Sequence, residues 1–81
     1  MTAALQALYD YTLENRFSAF LTSGDYRTAG DMVDRNLDAL RRSLSEPGKT
    51  VLDNLCDALY EQRDLELEAM FQAAWQVSRE L

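Results

Sequence analysis

Past Gly48 nothing in this chain can stop a helix. Residues 49–81 contain neither Pro nor Gly, and the stretch is introduced by Ser45-Glu46-Pro47-Gly48. Ser is a favoured N-cap because its oxygen takes an orphan backbone N–H, and Pro is tolerated only in a first helical turn. Glu46 adds a negative charge where the helix dipole is positive. The pattern predicts one helix over about 46–80; at ~1.5 Å per residue it reaches roughly 50 Å. That is long for an ordinary small domain, so the rest of the chain has to be arranged along it.

Advancing about 100° per residue, Leu52, Leu55, Cys56, Leu59, Met70, Ala74, Val77 and Leu81 fall on one side of this helix. Their three- and four-residue steps mark a core-facing surface. Between Leu59 and Met70 the stripe is broken by Gln62, Arg63 and Glu66. Two explanations fit. The Arg63 stem packs while its head reaches solvent, or Arg63 and Glu66 form a polar layer that fixes helix register or oligomeric state.

On the opposite side run Asp53, Asp57, Glu61, Asp64 and Glu68, carboxylates that line one face over roughly 22 Å. Such a row is either a solvated face or a line of charge presented to a basic partner in imitation of a phosphate backbone. Farther on the polarity changes. Leu67, Met70, Phe71, Trp75 and Val77, with Ala74, make the last third apolar over more than half its circumference. A helix apolar nearly all round is covered on more than one side, by another helix of the chain or by a second copy.

The first helix is predicted over about 2–22, where Leu5, Leu8, Tyr9, Leu13, Phe17, Phe20 and Leu21 keep helical spacing and Tyr11 adds to an aromatic-rich core side. Thr22-Ser23-Gly24-Asp25 supplies a break, with Ser23 or Asp25 to cap the next helix. That second helix is predicted over about 25–44. Tyr26, Gly30, Val33, Leu37, Leu40 and Leu44 form a heptad-like seam on which Gly30 would permit a close helix approach. Asp31 and Asp38 stand four residues before Arg35 and Arg42, as compensated pairs do. Short connections favour antiparallel neighbours. The expected fold is therefore a single all-α domain over 1–81, an antiparallel three-helix bundle with a long C-terminal helix whose end projects or pairs with another subunit.

The chemistry of common enzymes is missing. There is no His and a single Cys, which removes the commonest general base and the means to build a zinc site. The spacing of Asp31, Asp34 and Asp38 is not that of a calcium loop, and no Gly-rich phosphate loop exists. No enzyme activity, cofactor or metal is expected. The net charge of −6 disfavours direct binding to nucleic acid or an anionic membrane. Without an apolar run of membrane-spanning length or a signal-peptide pattern, the expected compartment is the cytoplasm.

Leu5-x-x-Leu8-Tyr9, then Leu44-Ser45-Glu46, then Glu68-x-x-Phe71-x-x-Ala74-Trp75-x-x-Ser78 span nearly the whole chain. Together they resemble a family of short, uncharacterised helical proteins encoded by gut Firmicutes and their phages and mobile elements, members of which carry Gly at the positions of Ala74 and Ser78. The resemblance implies no activity. It implies a phage or mobile-element setting, where small acidic proteins bind host factors, anti-CRISPR and other anti-defence inhibitors among them. Two functions are consistent with these readings: a module that self-associates through Leu67, Met70, Phe71, Trp75 and Val77, or an inhibitor whose acidic face occupies the basic groove of a nucleic-acid-binding host protein.

Overall fold

The structure, a computed structural model, describes residues 1–81. It contains α1 (Ala3–Asn15), a short 3-10 helix (Phe17–Phe20), α2 (Gly24–Ser43) and α3 (Glu46–Glu80), and no strand. The last helix runs unbroken, as the absence of Pro and Gly after Gly48 predicts. It sets the long dimension of a body measuring 52 × 29 × 20 Å.

Local chemistry explains where the helices begin. The Thr2 side chain accepts from the Leu5 amide at 3.2 Å, and Ser23 accepts from Tyr26 at 3.1 Å. Ser45 has the extended backbone of a cap, yet its side chain accepts no cap bond. An N-cap oxygen draws on the second or third helical N–H; Pro47, second in the helix, has none, and the Gly48 N–H, third in the helix, is not bonded to the Ser45 side chain. The first turn is closed, as in the other two α-helices, by a backbone bond to the cap carbonyl, here the Lys49 amide on Ser45 at 2.9 Å. Leu44 folds over Gly48, where an added Cβ would lie 3.2 Å from the Leu44 Cβ. Glycine at that position lets the turn between α2 and α3 stay tight.

The helix expected over about 2–22 is two pieces. Thr12 donates its hydroxyl proton to the Leu8 carbonyl at 2.8 Å, and the Asn15 amide donates to the Tyr11 carbonyl at 3.0 Å. Side chains that engage the backbone this way compete with the helical ladder, and Asn, Phe and Ser are weak helix formers. Arg16 leaves the helix at φ −124°. The tighter turn after it brings Phe17 half-buried against the last helix and leaves Phe20 exposed. Of the aromatic residues expected as core, Tyr9 and Phe17 are covered; Tyr11 and Phe20 are not.

All tertiary packing is made onto α3. Tyr9 of α1 meets Phe71 edge-on, with ring centroids 5.3 Å apart at 67°. Leu13, Phe17, Leu67 and Met70 close around this pair and leave a hollow of about 170 Å³. Farther toward the start of α3, Leu37 and Leu40 of α2 face Leu52, Cys56 and Leu59, and Arg41 pairs with Asp53 beside the turn. The first two helices thus occupy different lengths of the third. Only Tyr9 and Leu52 are buried, one at each junction.

Two expectations about α2 differ from what is found. The Arg35 Nε donates to the Asp31 carbonyl at 3.4 Å and not to its carboxylate, and Asp38 makes no ion pair with Arg42. The long-range pair, Arg41–Asp53, is exposed, so its contribution is about 1 kcal/mol or less. Gly30, expected at a close approach, faces open space, with nothing within 4 Å of a Cβ built there. Gly30→Ala is therefore expected to stabilise the protein by about 0.5–1 kcal/mol through helix propensity alone. The shift in denaturant midpoint measures it; a fall would mean that something packs on this position.

Candidate interaction surfaces

The acidic row on α3 is not one free face. Asp53, at its start, is taken by Arg41. Glu68, at its end, is half-buried, beside the ring of Tyr9 that α1 lays against this part of the helix. Asp57, Glu61 and Asp64 remain exposed and without an ionic partner. The row is divided by partners that spacing within one helix cannot register: an arginine from α2 and a tyrosine from α1.

The apolar end is likewise divided. Leu67 and Phe71 are half-buried by α1, and Trp75 lines a hollow with Thr2, Leu5 and Leu8 while staying 41% exposed. Met70 and Val77 stay exposed. Part of the cover at this end therefore comes from the chain itself. Arg63 lies with its guanidinium carbon 5.9 Å from the centroid of the Tyr60 ring and borders a hollow with Val33, Leu37 and Cys56. Glu66 is exposed, and neither it nor Arg63 has an opposite charge within bonding distance in its own chain.

A third surface lies on residues that helical spacing assigns to the core. Between α2 and α3 lies an open hollow of about 550 Å³ lined by Met32, Val33, Leu40, Leu52, Leu55 and Leu59, among others, with no charged residue. A neighbouring string, Val51, Leu55, Ala58, Gln62, Leu65 and Ala69, alternates four- and three-residue steps without a charge and meets the hollow at Leu55. The core stripe claims Leu55 and Leu59 and leaves Val51 and Leu65 without a role.

No group of His, Cys, Asp and Glu side chains gathers as a metal site, and Cys56 is free and half-buried. No helix is long and apolar enough to cross a membrane.

One titratable group stands out. Burial, and then the negative charges of Glu68, Asp64 and Asp10, hold the Tyr9 phenol above its ordinary value of 10.0. The native state favours the protonated, neutral form. The stability this confers is complete below the unfolded value and is lost as pH rises through the raised native one. Tyr9→Phe is expected to remove that component, so its denaturation midpoint should fall less than that of the wild type between about pH 9 and pH 11. An identical fall in both proteins would show that Tyr9 does not contribute to alkaline destabilisation.

No curated protein and no solved structure matches the chain. A family model does, described as a family of unknown function, DUF6809, and it covers residues 1–81. A match along all three helices, junctions included, makes this chain a member of that family of unknown function.

Proposed function

We propose that this protein is a non-enzymatic cytoplasmic helical module that works by binding protein, in the first place a second copy of itself. The observation that carries the proposal is burial. Val51, Leu55 and Met70 are 68%, 54% and 70% exposed, while Tyr9 and Leu52 alone are buried. Large apolar side chains left exposed in this number mark an interaction surface, and in a chain of about 80 residues an oligomer is a common remedy for a thin core. The succession of contacts along the two helices supports an antiparallel course for α2 on α3: Arg41 meets Asp53 beside the turn, whereas Val33 and Arg63 share a hollow farther from it. Pairing of two copies would complete a helical bundle. Arg63 and Glu66, which lack opposite charges in their own chain, would then set its register.

Sedimentation at micromolar concentration is expected to give a dimer or larger species. In the same measurement Arg63→Leu should sediment as a broader mixture at undiminished thermal stability, because a desolvated charge is replaced by a side chain that packs. A single monomeric boundary at every concentration ends the proposal.

A second function is favoured by the exposed, unpaired carboxylates of Asp57, Glu61 and Asp64 on a chain of net charge −6. In a phage or mobile-element setting these would engage the basic groove of a nucleic-acid-binding host protein, in the manner of an anti-CRISPR inhibitor with a DNA-mimicking face. Charge-steered association weakens with salt. Wild type should recover such a protein from host lysate at low salt, and a variant with the three acids changed to Asn or Gln should not. Equal recovery by both leaves the carboxylates as a solvated surface only.

A further inference from the structure

We infer that the surface through which two copies join is one charge-poor side of the α2–α3 pair, not the aromatic end of α3; the inference rests on the self-association proposed above and names its face. At about 100° per residue, Val51, Leu55, Leu59, Ala69, Ala73 and Val77 fall within about 80° of arc on α3. The side extends onto α2 through Met32, Val33 and Leu40, which share the open hollow with Leu55 and Leu59. Of the α3 positions in this wedge, Glu66 is the one acid before the last turn. In a chain with 27% charged residues, so long a track with so little charge is the mark of a surface kept for contact. Phe71 and Trp75, by contrast, already face α1.

Area leaves room for such a contact. The chain exposes 6842 Å². A compact monomer of its mass would expose about 5,000 Å². The excess, roughly 1,900 Å² per chain, exceeds the about 800 Å² that each partner contributes to a standard interface and falls in the range of obligate dimers. The radius of gyration agrees: 16.9 Å, against about 12 Å for a compact domain of this length.

Charge says what the partner is. Asp57, Glu61 and Asp64 lie about 120° or more from the middle of the wedge, so a basic partner held by those acids would leave the apolar side uncovered. A second copy covers it and keeps both acidic faces in water, where two chains of net charge −6 repel least. The contact is isologous, each copy presenting the same side.

The test compares wild type with Leu55→Glu, Ala73→Glu and, as a control on the far side, Glu61→Gln, by sedimentation and circular dichroism over a concentration series. Leu55→Glu and Ala73→Glu should weaken association at least about tenfold, because each places a carboxylate in an apolar contact; Glu61→Gln should leave it unchanged or tighter. Leu55 lines the hollow of its own chain, so its replacement can also unfold the protein; Ala73 is exposed, and its variant decides in that case. Loss of helix in Ala73→Glu that reverses as concentration rises counts as dissociation, and loss independent of concentration overturns the inference. Association of wild type with undiminished association of Ala73→Glu overturns the face and leaves self-association standing. A monomeric wild type overturns both.

Discussion

Every packed contact in this protein has one wall in common, the side of α3. Its first two helices share no buried core with each other; each is held by a single buried side chain, Tyr9 for α1 and Leu52 for α2. The constraint begins in the sequence, in a run that no Pro or Gly interrupts. A helix of that length cannot be enclosed by an 81-residue chain, whose short partners cover it in series. Both the 52 Å length and the apolar residues left in water are consequences.

The two junctions differ in kind. At the α2 end, aliphatic side chains border an open hollow and one exposed ion pair spans the turn. Leucine packing there depends on area, at about 25 cal/mol per Å² removed from water, and much of that area is still exposed. At the α1 end, an edge-on aromatic pair brings a geometric preference worth about 0.5–1.5 kcal/mol beyond area, with carboxylates close enough to be felt by the Tyr9 phenol. The aromatic end thus adds a directional contact to area, and the aliphatic end depends on area alone.

Features that depend on neighbours along one helix are legible in the sequence. The extent of α3, the cap at Ser23 and the existence of three helices all come from spacing, Gly, Pro and hydroxyl residues. Features that depend on how helices lie across one another are not. Thr12 and Asn15 pass as tolerable helix residues until their bonds to the Leu8 and Tyr11 carbonyls show why the helix stops. The acidic row looks continuous because Arg41 is twelve residues from Asp53, and Tyr9 farther still from Glu68. Gly30 looks like a contact because a seam position is expected to meet a helix, and none lies over it.

The placement of Trp75 gives the molecule a built-in optical reporter. It is the one tryptophan in the chain, and it sits in the hollow formed with Thr2, Leu5 and Leu8 at the start of α1. Its emission therefore registers whether α1 is docked and is blind to the α2 junction, while far-ultraviolet ellipticity is dominated by the two longer helices. Signals usually treated as interchangeable probes of one unfolding event here watch opposite ends of the same rod. Whether they coincide measures how far α3 transmits order from one junction to the other.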